Sequence, residues 1–308
     1  MHRNWGFSAL AIVATLVTAL PASAEQMRVD GYFPAGNDEA ATLRSLAVEN
    51  FSGEDGPRLS LQVADALRDV RIDGRPWLSV LVGRFGRDAD GVLQGDVRTR
   101  VDENVTMLRR DVCVSYDQYD NCQARENREV ECLRATTVVR PELRLVRRGG
   151  QLVWRYSQES SRGAEFCPGF DDEPDFDAQV DSMLADFTTQ IRYALAPAHE
   201  SRSIRVMGGR DELPRPLRDT YRQAMRQTER DPAAACAIFA SLLPQAPGHV
   251  QLVHNNALCA EQAGDYAAAE QGYQQLTTSR GAQREGREGL ARMAQYRRGR
   301  AQIEQRGL

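Results

Sequence analysis

The sequence predicts an α+β protein in two parts: a mixed α/β domain that contains a β-hairpin, and then an all-α array of helical hairpins. Three observations predict this. Short apolar runs bounded by turn residues alternate with helical apolar stripes up to residue 207. Gly149-Gly150 separates two alternating runs, which is typical of a tight hairpin turn. Beyond residue 216, apolar positions recur with a period of 34 residues.

Residues 1–24 have the composition of a secretory signal peptide. Arg3 precedes the apolar run Phe7–Leu20, and Ala22-Ser23-Ala24 supplies small residues for cleavage before Glu25. The apolar run is short for a bilayer span, and no later run approaches that length. The sequence therefore predicts a periplasmic protein with no membrane span in the mature chain.

Charge restricts the classes of function. Every basic residue is Arg, so catalysis through a lysine is excluded, and the formal net charge of −4 argues against a general nucleic-acid binder. Acidic residues are concentrated in Glu165–Asp186 and arginines in Arg280–Leu308. Solvated surface explains both segments; a contact between them, or of the basic tail with an anionic membrane, is the alternative.

The first predicted elements are a strand, a helix and three further strands. Gly56-Pro57 begins the helix, because proline is tolerated in the first turn. The run Trp77–Gly83 is apolar on both faces, which predicts a central position in its sheet. The helical stripe consists of Leu59, Val63, Leu67 and Val70, and the other strands are predicted at Leu43–Phe51, Val92–Val101 and Val105–Tyr116.

The clearest strand signal is Val138–Gln158, around the Gly149-Gly150 turn. If Arg148 pairs with Gln151, Leu145 lies opposite Trp154 and Leu143 lies opposite Tyr156, while the arginines between them face the other way. The same register, continued, places Cys132 opposite Cys167.

The chain has six cysteines, and an exported protein is expected to form disulfides. A zinc site is the rival interpretation, but no C-x-x-C motif occurs and the histidines lie far from the first four cysteines. The hairpin register favours a bridge between Cys132 and Cys167, which leaves Cys113 and Cys122 to close the turn Asp117–Asn121. For Cys236 and Cys259, a disulfide and two buried thiols both stay open.

After the hairpin, Asp175 is expected to cap a long helix that ends at Ala196-Pro197, because helices end before proline. Ser203–Met207 is a further candidate strand. Gly208-Gly209 and two prolines mark residues 208–216 as a linker. The predicted units are therefore the disulfide-containing domain 25–207 and the helical part 217–308.

The helical part repeats in register. Ala235, Phe239 and Leu242 recur 34 residues later as Ala269, Tyr273 and Leu276. Ala257 and Gly264-Asp265-Tyr266 complete a small–glycine–aromatic pattern in the second copy. This pattern resembles the tetratricopeptide repeat family, in which paired helices stack into an array. Ala291, 34 residues after Ala257, lies in an arginine-rich helix that is expected to cap this stack.

The tetratricopeptide resemblance implies a concave groove that binds a protein or peptide of the cell envelope. By register, the residues that would face this groove are Gln251, His254, Asn255, Leu258, Glu261 and Gln262. For His254, an ordinary surface histidine is the alternative interpretation.

The N-terminal part resembles the α/β domain of CsgG-type curli-assembly proteins and the N-terminal domain of TolB. The resemblance covers about 150 residues and rests on the order of the predicted strands and helix with the Asp90–Gly95 segment and the Gly149-Gly150 turn. It implies a mixed sheet flanked by helices and a role in envelope assembly or as a scaffold.

No catalytic motif is recognisable, and the sequence predicts no cofactor, no metal and no enzymatic activity. The acidic run Asp171–Asp177 lacks calcium-loop spacing, so solvated acids are favoured over a metal site. The predicted function is a scaffold that binds a protein or peptide through its helical repeats. The alternatives are an oligomeric accessory of an envelope secretion system, for which a homo-oligomer is possible, and an enzyme with an unrecognised acidic site.

Overall fold

The structure is a computed structural model that describes residues 25–82, 88–209 and 213–307. The predicted signal peptide and part of the predicted linker lie outside these residues. The elements in chain order are β1 (Gln26–Phe33), α1 (Asp38–Ala41), β2 (Ser45–Val48), α2 (Gly56–Arg68), β3 (Arg71–Ile72), β4 (Arg75–Pro76), β5 (Ser79–Val82), β6 (Gly91–Tyr116), β7 (Cys122–Arg147), β8 (Leu152–Ser157), β9 (Ser160–Phe166), α3 (Phe176–Leu195), β10 (Ala198–Arg205), α4 (Arg218–Gln227), α5 (Pro232–Leu242), α6 (Val250–Gln262), α7 (Tyr266–Thr277) and α8 (Gln283–Gln305).

A six-stranded mixed sheet in the order β5-β2-β6-β7-β8, with β9 also paired to β7, forms the centre of the N-terminal part. The strand β2 runs parallel to β5 and β6, and the later strands are antiparallel. Helices α2 and α3 pack against each other and on one face of this sheet, where Leu59, Phe187 and Leu145 belong to one buried cluster. The chain segment between α2 and β5 forms the short β3–β4 hairpin.

The prediction that Trp77–Gly83 forms a central strand is wrong. Of the described strands, β5 lies at the edge of the sheet, and Leu81 and Val82 are exposed. The apolar side chain that anchors this segment is Trp77, which is fully buried but precedes the strand. The apolar run therefore indicated the burial of its first residue, Trp77, and not a central strand.

The predictions for α3 and the hairpin are confirmed. The Asp175 carboxylate accepts a hydrogen bond from the backbone N–H of Ala178 at 2.8 Å, and the helix ends at Leu195. In the β7–β8 hairpin, Leu145 pairs with Trp154 and Leu143 with Tyr156. An irregularity next to the turn shifts only the last pair.

A second, two-stranded sheet joins distant parts of the chain. Strand β1 pairs antiparallel with β10 along its whole length, from Gln26 opposite Arg205 to Phe33 opposite Ala198. Of the strand predicted at Ser203–Met207, residues 203–205 form the end of β10, and Val206 and Met207 follow it. Strand β1 was not predicted. Met27 and Val29, on one face of β1, are fully buried.

The predicted fold class is wrong in its second part, because helices α4 to α8 do not form an independent all-α tetratricopeptide array. Met27 and Val29 of β1 share one core with Tyr221 of α4, Phe239 of α5 and Leu252 of α6. In a solenoid each repeat contacts only its neighbours. Here the helices pack around the β1–β10 hairpin, so the chain is one mixed arrangement of helices and strands.

The last helix also departs from a repeat. Helix α8 is a single 23-residue helix that packs on α7 and on β1. Gln302 accepts a hydrogen bond from the Ala35 N–H at 2.7 Å, and Arg306 donates to the carbonyls of Leu43 and Trp77. The C-terminal helix therefore completes the N-terminal part instead of capping a stack.

The contact between α8 and β1 depends on Gly299. A Cβ at this position would overlap the backbone carbonyl of Tyr32. We therefore expect Gly299→Ala to lower the free energy of unfolding by about 1–3 kcal/mol, although alanine is the better helix former. Urea denaturation measures this change. As a control, Gly149→Ala adds its methyl group in open space, so we expect little change. Unchanged stability of Gly299→Ala would contradict the close approach of α8 to β1.

Candidate interaction site

The most unusual feature of the molecule is the length of the hairpin formed by β6 and β7. Each strand has 26 residues, and the pairing runs from Gly91 opposite Arg147 to Tyr116 opposite Cys122. Strand β9 accompanies β7 only as far as Leu133. Residues 104–132, which we call the arm, therefore continue beyond the sheet as a two-stranded ribbon, about 40 Å long at the usual rise per residue.

One edge of the arm is open. The last main-chain hydrogen bond on the outer side of β6 joins the Val97 N–H to the Ser52 carbonyl at 2.9 Å. From Arg98 to Tyr116, no residue in the described parts of the chain pairs with this edge. Exposed edge strands are rare in soluble proteins unless they are short or covered, because their free N–H and C=O groups recruit other strands.

One face of the arm carries apolar side chains in solvent. Side chains alternate between the faces of a strand, so Val101, Val105 and Met107 lie on the same face as buried Val97. Val105 is 62% exposed and Met107 is 56% exposed. We call Val101, Val105 and Met107 the apolar stripe. The apolar stripe continues the alternation of buried side chains in β6 beyond the part of the sheet that the helices cover.

The tip of the arm is a fixed turn with exposed aromatic rings. The Asp117 carboxylate accepts hydrogen bonds from the backbone N–H groups of Asn121 at 2.9 Å and Tyr119 at 2.8 Å, and these bonds lower the pKa of Asp117. Tyr119 is 75% exposed and Tyr116 is 60% exposed. Exposed tyrosines at a fixed turn are typical of protein-contact surfaces.

Two disulfides hold the arm, at its tip and at its base. Cys113 is bonded to Cys122 and Cys132 to Cys167, as the sequence predicted. Next to the base disulfide, the Arg110 guanidinium lies 3.3 Å from the Asp171 carboxylate. Asp171 also accepts a hydrogen bond from the Cys167 N–H at 2.9 Å. The loop after β9 is therefore tied to the face of the arm opposite the apolar stripe.

Sequence reasoning missed the arm, because it divided β6 into the two strands Val92–Val101 and Val105–Tyr116. The structure shows no break between them. The available signal was that residues 98–116 contain neither Gly nor Pro, while Cys113 and Cys122 bracket the turn. The frequent charges between the apolar residues concealed the alternation.

A cavity lies elsewhere, on the face of the sheet that α2 and α3 leave uncovered. Its volume is about 750 Å³. It is lined by both signs of charge, including Asp96, Glu142 and Arg144, and Arg140 pairs with Glu142 at 3.1 Å. The three acidic and three basic side chains in its lining balance, so the cavity has no excess charge that would select a ligand. A solvated face is common in antiparallel sheets.

The six residues predicted to face a groove do not form one. His254, Asn255, Leu258 and Glu261 are buried, and Gln251 and Gln262 are half-buried. Asn255 accepts from the Met207 N–H at 3.0 Å and donates to the Met207 carbonyl at 3.1 Å, so it fixes the chain after β10. Burial lowers the pKa of His254. Leu258 belongs to the core that Met27 and Val29 of β1 share with the helices.

Glu261 belongs to a buried ion pair. Arg292 of α8 donates two hydrogen bonds of 2.8 Å to its carboxylate, and Tyr273 of α7 donates another at 2.5 Å. Burial alone would lower the pKa of Arg292, but the hydrogen bonds and negative charge of Glu261 outweigh this effect and raise it. For Tyr273, burial itself raises the pKa. This group links three helices.

The repeat signature residues serve the local packing of the helices. Gly264 has a φ of +76° and follows the end of α6, and Asp265 caps α7 through the Ala268 N–H at 3.0 Å. Cys236 and Cys259 form a disulfide between α5 and α6. The remaining signature residues lie in buried or half-buried positions on α5, α6 and α7: Ala235, Phe239, Ala257, Tyr266, Ala269 and Tyr273.

The acidic run has structural partners. Asp175 caps α3, and Asp171 pairs with Arg110. Within residues 25–82, 88–209 and 213–307, no group of three or more His, Cys, Asp or Glu side chains could hold a metal ion. In the same residues, no helix combines the length and the apolar composition that crossing a membrane requires.

No protein-family model matches the chain, and no curated protein matches it. The arm and its surroundings are therefore the features that indicate a function.

Loss of the tip disulfide should loosen the arm without unfolding the body. Beyond Leu133, no third strand among the described residues accompanies the ribbon, and two-stranded ribbons are marginally stable alone. We expect Cys113→Ser/Cys122→Ser to speed amide hydrogen exchange in residues 104–131, with little change in α2 and α3. The base variant Cys132→Ser/Cys167→Ser is the comparison and should cost about 2–4 kcal/mol of global stability. Faster exchange throughout the body in the tip variant would show that the arm is not a separate unit.

Removal of Arg292 should be costly, because it leaves the buried Glu261 carboxylate without its cation. We expect Arg292→Met to reduce the free energy of unfolding by about 3–5 kcal/mol. The exposed Arg284 pairs with Glu288 at 2.7 Å, so Arg284→Met is the matched control and should cost at most about 0.5 kcal/mol. Denaturant titration of both variants measures the difference, and equal losses would refute the assigned role.

Proposed function

We propose that this protein is an exported protein-interaction or scaffold protein that contacts a protein partner through its arm. The observation that carries this proposal is the two-stranded extension with an open edge, an apolar stripe in solvent and a tip with exposed tyrosines. Surfaces of this kind are either covered by a partner or prone to aggregation.

Export is supported by the cysteines. Three disulfides are present, and none of the cysteines is free. Disulfides persist in oxidising compartments such as the periplasm. Together with the composition of residues 1–24, this supports cleavage of a signal peptide and a periplasmic location, which belong to the proposal.

The construction of the arm supports binding rather than catalysis. A disulfide holds each end, and Asp117 fixes the turn, so little conformational entropy is lost when the arm meets a partner. Charges of both signs flank the apolar stripe, which favours a specific partner over general adhesion.

Photo-crosslinking tests this function. A photoreactive amino acid at Met107, in the arm, should produce discrete adducts of higher mass in intact cells. The same substitution at Leu61 on α2 is the control, because its exposure of 53% is nearly that of Met107. Adducts at Leu61 alone, or equal adducts at both positions, would contradict the proposal.

A further inference from the structure

We propose that the partner of the arm is a second copy of the same chain, paired edge to edge along β6 about a twofold axis at Thr106. This inference rests on the proposed function, since it names the occupant of the same site. It is carried by the geometry of the open edge and by the order of charges along it.

The outward-pointing N–H and C=O groups of the open edge belong to the residues that this pairing requires. The Leu93 and Gly95 carbonyls accept hydrogen bonds from the outer side, and the Val97 N–H donates to it. Since the β6–β7 register is unbroken up to Cys113, the odd-numbered residues direct their N–H and C=O groups outward along the arm. A twofold axis at Thr106 sets odd-numbered residues of one copy opposite odd-numbered residues of the other, as an antiparallel ladder requires.

The apolar stripe becomes covered in this register. Val105 of each copy lies opposite Met107 of the other, on the same face, so four apolar side chains meet at the centre. Val105 and Met107 are each more than half exposed in the single chain. The pairing therefore covers the side chains that the fold of one chain leaves in solvent.

The charges then become complementary. On the face of the apolar stripe, Glu103 lies opposite Arg109 of the second copy. On the other face, Asp102 lies opposite Arg110; within one chain these two side chains also pair with Arg100 at 2.9 Å and with Asp171 at 3.3 Å. The twofold axis generates each pair twice. Opposite charges in directly facing positions stabilise an antiparallel pair, and like charges destabilise it.

Neighbouring registers lack this match. If the axis moves to Val105, Arg100 lies opposite Arg110. If it moves to Met107, Glu103 lies opposite Asp111. The same charges that protect the edge from unspecific pairing therefore favour one self-pairing.

Within the described residues, no segment pairs with the outer edge of β6 from Val101 to Asp111, where the ladder would form. In this register the tip of the second copy, from Cys113 onward, lies alongside Thr99 and has to turn away from the covered part of the edge. The Thr99 hydroxyl lies 2.6 Å from the Asp55 carboxylate, which marks the end of the covered part of the edge. The register shifts between Cys113 and Tyr116 end the regular part of the arm at the other side. Such a ladder forms about twelve main-chain hydrogen bonds, similar to the number in a stable protein interface.

A charge exchange tests the register. In the full-length mature protein, Glu103→Arg alone places arginine opposite arginine, and Arg109→Glu alone places glutamate opposite glutamate. Each variant should weaken dimerisation at least about tenfold in sedimentation velocity. An equimolar mixture of the two restores opposite charges in every such pair and should recover the dimer as a heterodimer. Arg284→Glu, on the exposed face of α8, should leave the dimer unchanged.

Cysteine crosslinking locates the axis independently. Thr106→Cys should form an intermolecular disulfide, because the two copies of this residue face each other across the axis. Val105→Cys and Met107→Cys are the register controls and should crosslink much less.

A monomeric wild-type protein, or a mixture that stays monomeric, would overturn this inference. If the protein is monomeric while Met107 still forms adducts with a different polypeptide, the proposed function stands and only the identity of the partner is wrong. If Met107 forms no adducts beyond those at Leu61, the proposed function also fails.

Discussion

The β6–β7 ladder is the interaction on which the rest of the structure depends. Its first half lies within the sheet, where Leu93 and Leu143 are buried beneath the helices. A slip of one residue would turn these side chains to the solvent, so burial fixes the register. Since the ladder continues without interruption to Cys113, the register set in the core also sets which side chains the arm presents. The core thereby determines the interaction surface.

Strand β1 and helix α8 connect the helical part to the N-terminal part. Strand β1 carries Met27 into the core of α4 to α6, and α8 returns Arg306 to the carbonyls of Leu43 and Trp77. The Glu261–Arg292 pair connects α6 to α8 in the same region. The helical part is therefore packed against the N-terminal part through β1 and α8.

Local signals in the sequence predicted local structure well. Asp175 as a helix cap, the pairing of Leu145 with Trp154, and the bridge between Cys132 and Cys167 depend on nearby residues or on a register counted from one turn. The β1–β10 pairing was not predictable in this way, because its strands lie at opposite ends of the N-terminal part. Nothing in the sequence of a strand identifies the distant strand with which it pairs.

The candidate site was harder to predict than the fold. The 34-residue period correctly indicated paired helices, but periodicity reports which side chains are buried and not what buries them. Asn255 and Glu261 matched positions of a groove, yet Asn255 binds the segment after β10 and Glu261 binds Arg292 of α8. The arm, by contrast, is exposed on both faces for much of its length, so it lacks the apolar alternation that identifies a strand.

The pairing of β1 with β10 also constrains the order of folding. Gln26 pairs with Arg205, so the first strand of the described chain cannot form its hydrogen bonds until nearly 180 further residues have been synthesised. At roughly 5–20 residues per second, this delay lasts about ten seconds or more. During that time Met27 and Val29 have no core to enter, and the nascent chain exposes an adhesive segment that a chaperone can hold.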